Sequence, residues 1–274
     1  MSSFLVASGV ALLTAALVMT LAALRARQLG RVAVVDVAWG LGFVAVAVVM
    51  TAVGTASEGN GPRRWVVLAM VGAWGLRLAW HIRRRALGDH QGKEDPRYEE
   101  LLGGPLSQVG MGVAVRKVFL VQGFAVWFIS IPLQVAAVSD VASWAVVVLG
   151  IAVWLLGWIF ETVGDAQLAA YKADPDRGPV MDRGLWAWTR HPNYFGDACI
   201  WWGLFLAGAA ASGWWGLLAV VSPLAMTYFL LFATGARLLE RTMMKRPGYP
   251  EYAARTSMFF PLPPRRSGAV PASR

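Results

Sequence analysis

Charge, cysteine and histidine are all scarce in this sequence, and each scarcity excludes something. Of 274 residues only 15% are charged, while 57% are hydrophobic; a soluble domain would carry about 25% charged residues. The composition is that of an integral membrane protein, and the length suits one compact bundle. The single cysteine, Cys199, rules out an intrachain disulfide and a multi-cysteine metal site. Three histidines, two of them near arginine clusters, argue against a histidine cage, so no metal is expected. No internal repeat is visible. No cleavage pattern marks the first apolar run as a removable signal, so it is expected to stay as a span.

What is present is apolar run after apolar run. A span needs about 20 mostly apolar residues. Seven stretches qualify: Phe4–Leu24, Val32–Gly54, Trp65–Ile82, Lys117–Val138, Val141–Val163, Phe195–Ala211 and Trp214–Thr234. The expected fold class is all-α, a polytopic membrane bundle of about seven transmembrane helices with cytosolic loops. Leu238–Arg255 is polar and interrupted by Pro247-Gly248, which predicts two short cytosolic helices. Residues 1–260 read as a single membrane domain. Residues 261–274, rich in Pro, Arg and Ser, read as a disordered tail.

The net charge of +9 is distributed unevenly. With the amino terminus outside and the carboxyl terminus in the cytosol, the inside loops collect most of the Lys and Arg: Arg25, Arg27 and Arg31 after the first span, and the cations of the long segments 83–116, 164–194 and 235–274. The outside loops keep only Arg63 and Arg64. This is the positive-inside pattern. It accounts for the basic balance through membrane lipids and requires no nucleic acid. The outside turns at Ser139-Asp140 and Ser212-Gly213 are minimal, so the inside face has the material for a site.

The densest polar segment is Arg190-His191-Pro192-Asn193-Tyr194-Phe195-Gly196-Asp197, at the mouth of the sixth span. Polar groups there are expensive and mark sites. His191-Pro192 starts a helix, which makes Asn193 and Asp197 neighbours one turn apart. Helix-start amides with Arg190 beside them suit a nucleotide's phosphates and hydroxyls; the bland alternative is a capped helix with Arg190 reaching lipid phosphate. Glu161, Asp165 and Lys172 share one helical face on the fifth span. They could meet ribose hydroxyls and a phosphate, or simply form a solvated helix end. Asp36 lies one turn inside the second span. As a neutral acid it could donate to a substrate carbonyl; otherwise it is a structural partner of Arg77 or Arg31. Arg77, Trp80 and His81 are expected to face inward or toward the cytosolic mouth of the third span, and His81 is a candidate proton donor. Arg83–Arg85 read as a positive-inside anchor, and Glu94-Asp95-Pro96-Arg97-Tyr98 as a charged turn.

These motifs carry a resemblance. Val35-Asp36-Val37-Ala38-Trp39-Gly40, Glu94–Tyr98, Gly184-Leu185-Trp186 with Arg190–Gly196, and Arg246-Pro247-Gly248-Tyr249-Pro250-Glu251-Tyr252 resemble the bacterial membrane family DUF1295, from about Arg31 to Pro261. That family is related to the steroid 5-alpha-reductases, seven-span enzymes that reduce a conjugated carbon–carbon double bond with NADPH. The resemblance implies that Glu161, Asp165, Lys172, Asn193 and Asp197 lie at the nucleotide, with the cofactor-binding half at about 141–260. It implies that Asp36 handles the substrate carbonyl. The reductases pair that acid with a tyrosine on the third span. Trp65–Ile82 has none, and His81 is the nearest proton donor in it. Tyr249 and Tyr252 match the family's carboxyl-terminal cofactor contacts only approximately. The run Arg190–Tyr194 followed by Glu240 and Tyr249–Tyr252 is also similar to isoprenylcysteine- and phospholipid-type membrane methyltransferases, where it surrounds S-adenosylmethionine.

The expectation is an NADPH-dependent reductase of a carbonyl-conjugated double bond in a lipid-type substrate, in the bacterial inner membrane. Asp36 and His81 are its catalytic candidates. Glu161, Asp165, Lys172, Arg190, His191, Asn193, Tyr194, Asp197 and Tyr249 are its cofactor candidates, with Arg97 near the phosphates. The alternative is an S-adenosylmethionine-dependent membrane methyltransferase.

Overall fold

The computed structural model describes residues 2–56, 61–88, 93–233 and 235–265. It is all-helical. Among the described residues no strand forms, and only Thr189 and Ser257 pair as an isolated bridge. Seven helices are long and apolar enough to cross a membrane, so the chain is an integral membrane protein. They include α1 (Ser2–Leu29), α2 (Val34–Ala56) and α3 (Arg63–Gly88). After the short α4 (Pro96–Leu102) come α5 (Met111–Ile129) and α6 (Ile131–Val138). Then follow α7 (Trp144–Ala173) and α8 (Pro192–Gly208). The last span is a 3-10 run, Trp214–Val220, then α9 (Val221–Tyr228) and a π turn, Phe229–Ala233. Its expected end, Thr234, lies outside the described residues.

Two spans differ from expectation for identifiable reasons. The fourth, expected as one run from Lys117 to Val138, starts at Met111 and breaks at Ser130, which turns to ψ 4°. Pro132 has no N–H to continue the ladder, and its ring clashes with the preceding turn. The fifth continues ten residues past its expected end at Val163, to Ala173. At 1.5 Å per residue this helix is about 45 Å long, well beyond the ~30 Å hydrocarbon core. The carboxyl-terminal segment does form two short helices, α10 (Ala236–Met243) and α11 (Tyr249–Arg255), separated at Gly248 with φ 77°. The start of the tail expected to be disordered is held in place. Leu262 N–H bonds Trp188 O at 3.0 Å, and Arg265 N–H bonds Arg255 O at 2.9 Å. Residues 266–274 lie outside the described residues.

The chain divides into two compact units, Met1–Leu149 with Leu204–Ser222, and Gly150–Gly203 with Pro223–Arg274. In the first, α1 buries a stripe of small side chains, Ala7, Ala11, Ala15, Ala22 and Ala26, and exposes Leu13, Leu17 and Leu21. Lipid solvates leucine as well as a protein interior does, so helices here associate through close packing of small residues. The same logic brings α2 and α3 together at Gly40 and Gly75. A Cβ on Gly40 would stand 2.7 Å from the Gly75 carbonyl oxygen. Arg63, expected as a loop cation, is completely buried at the start of α3. It donates to Ser212 Oγ at 2.6 Å, to Ala136 O at 3.2 Å and to Ser139. In the second unit α7 and α8 pack antiparallel through glycines, Gly157 against Gly196 and Gly164 against Pro192.

Candidate functional site

Each unit holds a polar cluster. In the first, the cluster is built around the start of α2, whose opening amides have no partner within the helix. Glu94 supplies one from 62 residues away, its carboxylate accepting from Val32 N at 2.5 Å and Ala33 N at 2.9 Å. The next residue, Asp95, caps α4 by accepting from Arg97 N at 2.9 Å, and Pro96 suits the first helical position. Gly103, at φ 88°, closes the other end of α4 with N–H bonds back to Glu99 and Glu100. Lys117 Nζ adds a bond to Leu101 O at 2.9 Å.

This bracketed turn delivers two side chains to Asp36. The Tyr98 hydroxyl donates to Asp36 Oδ1. Arg97 Nη2 lies 3.5 Å from Asp36 Oδ2 and 2.7 Å from Asp95 Oδ2. Burial, then the charge and hydrogen bond of Asp36, push the Tyr98 phenol well above its ordinary range, so it stays an O–H donor. Asp95's hydrogen bond, the largest cause, raises Arg97 above the usual guanidinium value. Neither expected partner of Asp36, Arg77 or Arg31, bonds it among the described residues; Tyr98 and Arg97 do. The donor to Asp36 is Tyr98; His81, the expected proton donor of the third span, is half-buried on α3. Trp80, expected with Arg77 and His81 to face inward or toward the cytosolic mouth, is 62% exposed, so it does not face inward. Arg97, expected near cofactor phosphates, is committed to two carboxylates.

In the second unit Arg190 is the hub. Its Nε and Nη2 form a two-pronged bond to Glu240, at 2.6 and 2.9 Å. Its Nη1 donates to the carbonyls of Ala253, at 2.8 Å, and Thr256, at 2.7 Å. Burial works against the charge, but Glu240's hydrogen bonds and charge outweigh it and hold Arg190 above its ordinary value. His191 Nε2 lies 3.1 Å from the same Glu240 oxygen, and its ring stacks on Tyr194 at 5.4 Å. Tyr249 is buried with its hydroxyl 3.5 Å from Glu240. Tyr252 donates to Trp186 O at 2.5 Å, and Trp186 Nε1 donates to Gly164 O at 3.0 Å. The Arg190 backbone N–H bonds Ser257 O at 2.8 Å. Arg190 was expected beside a phosphate. Four of its N–H directions are spent inside the protein, so its role here is to clamp the entry of α8 to α10 and α11.

Next to this clamp runs a row of acids and an amide. Asn193 Nδ2 donates to Asp165 Oδ1 at 3.3 Å, which joins α8 to α7. Glu161, one turn back on α7, is buried against Gly196, where a Cβ would stand 2.5 Å from the Glu161 amide nitrogen. Asp197 follows on α8 and is half-buried. Lys172 is exposed near the end of α7. Of the expected cofactor residues, the structure gathers Glu161, Asp165, Asn193 and Asp197 in this row, and Arg190, His191, Tyr194 and Tyr249 around or beside Glu240.

Sequence reading missed Glu94 as a helix cap and Arg63 as a buried anchor, and it never joined Tyr98 to Asp36. Glu240 entered only through the methyltransferase resemblance. Each acts across a long chain separation that no spacing rule reports; the one local signal was Asp95-Pro96, a helix-start pattern that marks α4.

No curated protein and no solved structure matches the chain. A family model does, the one described as protein of unknown function (DUF1295), over residues 22–256. With the match covering most of its length, including both polar clusters, the chain belongs to the DUF1295 family.

Proposed function

We propose that this protein is an NADPH-dependent reductase of a carbonyl-conjugated carbon–carbon double bond in a lipid-type substrate. The observation that carries the reading is the Tyr98–Asp36 hydrogen bond, a buried phenol donor on an acid with Arg97 beside it. The reductases that the chain resembles pair their carbonyl acid with a tyrosine, and Tyr98 supplies one from outside the third span. Reduction of an enone puts negative charge on the carbonyl oxygen as the β carbon takes up hydride. With Asp36 in its neutral form donating to the phenol oxygen, the single Tyr98 O–H would be free to donate to that oxygen, and Arg97 would offset the developing charge. The α carbon then needs a proton, which the same acid–phenol pair can relay. Bound NADPH would supply the hydride.

The second unit's acidic row fits the hydroxyl-bearing part of such a cofactor. Asp165, Asp197 and Glu161 can accept from ribose hydroxyls, and Asn193 can address an amide or hydroxyl. Its phosphates would fall to exposed cations such as Lys172, Arg177 and Arg183, because Arg190 is occupied. Placement in a bacterial inner membrane, with the amino terminus outside and the carboxyl terminus in the cytosol, belongs to the same reading. It is supported by the crowding of cations into the three long segments.

One observation favours the alternative, an S-adenosylmethionine-dependent methyltransferase. Arg190, His191, Glu240 and Tyr249, the residues of that resemblance, do converge. Ligand binding to detergent-purified protein separates the two. The reductase reading expects NADPH to bind and S-adenosylmethionine not to, with NADPH affinity lost in Asn193→Ala and Asp197→Ala. Binding of S-adenosylmethionine without NADPH would overturn it.

A further inference from the structure

On the outer face of the first unit, α1 and α5 part over an apolar groove of about 560 Å³, within the ~300–1,000 Å³ range of small-molecule sites. Leu12, Ala16 and Ala23 form one wall, Val115 and Phe119 the other, and Arg27 lies at the end. Val115 and Phe119 bound a π turn in α5. Such a turn swells a helix by one residue and is frequent at functional positions. The two helices are fixed to each other beneath the groove. A Cβ on Gly123 would stand 3.3 Å from Met19 Cγ, and Trp127 Nε1 donates to Ser8 O at 3.1 Å.

The groove's chemistry names its occupant. From Leu12 to Arg27 the helix rises about 22 Å, longer than one leaflet's share of a ~30 Å core. The wall suits a single long hydrocarbon chain. Among the polar lining groups, Thr20 spends its hydroxyl on Ala16 O at 2.8 Å. Arg27 is exposed and has no hydrogen bond or ion pair among the described residues. It follows the last apolar turn of α1, at the depth where headgroups lie. We infer that the groove holds one acyl chain of an anionic phospholipid, with its phosphate on Arg27. A zwitterionic lipid would fill the wall but bring its own cation beside the phosphate and leave the charge of Arg27 uncompensated; a soluble phosphate would match the cation and leave the wall empty.

The test is native mass spectrometry of delipidated, detergent-purified protein offered phosphatidylglycerol or phosphatidylcholine with identical chains. Wild type retains one phosphatidylglycerol about fivefold more strongly, the factor expected of one cation near an anionic headgroup. Arg27→Gln retains the two lipids equally. Ala23→Phe, which fills the groove, retains neither, while circular dichroism shows it still folded. Equal retention by wild type, an unchanged preference in Arg27→Gln, or undiminished retention in folded Ala23→Phe each overturns the inference. Inorganic phosphate that competes the lipid away overturns the acyl-chain half of it. NADPH binding plays no part in the readout, so failure here leaves the reductase reading untouched, and the reverse.

Discussion

The hydroxyl of Tyr98 is hydrogen-bonded to the carboxylate of Asp36, joining the α4 turn to the first turn of α2. If this pair polarises a substrate carbonyl, Tyr98→Phe and Asp36→Asn each lower kcat by about 10²–10³-fold, the usual loss when one oxyanion donor is removed. NADPH affinity stays at the wild-type value in both. Steady-state turnover of an enone lipid, paired with cofactor binding, checks this. Normal turnover in either variant removes the pair from the mechanism.

The Arg190–Glu240 pair behaves differently, since both side chains are nearly buried, at 11% and 14% exposure. Arg190→Ala takes the two-pronged cationic partner from a nearly buried carboxylate, leaving it only His191 and Tyr249, and costs about 3 kcal/mol. Arg190→Lys recovers little, because a single ammonium cannot reproduce the two-pronged bond. Thermal unfolding in detergent gives the order wild type, Lys, Ala. A variant with Ala at this position and an unchanged midpoint would show that the clamp is not structural.

The glycine contacts supply an internal control. Gly196→Ala drives a methyl group onto the α7 backbone at Glu161 and Gly157, at a cost of about 1–3 kcal/mol. Gly72→Ala, on α3, meets nothing within 4 Å, and it is neutral or slightly stabilising because alanine favours a helix. Comparing the two melting temperatures separates close packing from mere helix propensity.

Alkali should loosen the second unit. Burial, followed by Glu240's charge, pushes the Tyr249 phenol from 10.0 up to about 12. Below pH 10 the folded and unfolded chains both keep this proton, and its contribution is fully present. Between about pH 10 and 12 only the folded chain keeps it, so stability falls through that window as pH rises. Tyr249→Phe flattens that part of the stability profile. An identical slope in wild type and variant would dismiss the assignment.

What could be read from sequence followed from what is local. Each span is a run of apolar residues whose length the bilayer dictates, so all seven were visible, and Pro247-Gly248 announced the break between α10 and α11. The acidic row was half legible: four-residue steps placed Glu161 with Asp165 and Asn193 with Asp197, but not the two pairs side by side. That juxtaposition depends on Gly157, Gly164 and Gly196 letting α7 and α8 close, and a glycine in a long apolar run looks unremarkable until its neighbour is known. Arg190 was misread because a cation at a helix entry looks the same in sequence whether it faces a ligand or a glutamate 50 residues on. Arg63 was misread because a loop cation and a buried one differ only in their partners.

Arg63 also sets an order of events during biosynthesis. Its acceptor at Ala136 is made 73 residues later, and Ser212 only after 149. At roughly 5–20 residues per second, the arginine waits about 7 to 30 s for its last partner. A nascent chain halted before Ser212 therefore carries an incompletely bonded cation at the start of α3, and release of the sixth span, Pro192–Ser212, from the ribosome is the step that completes its bonding.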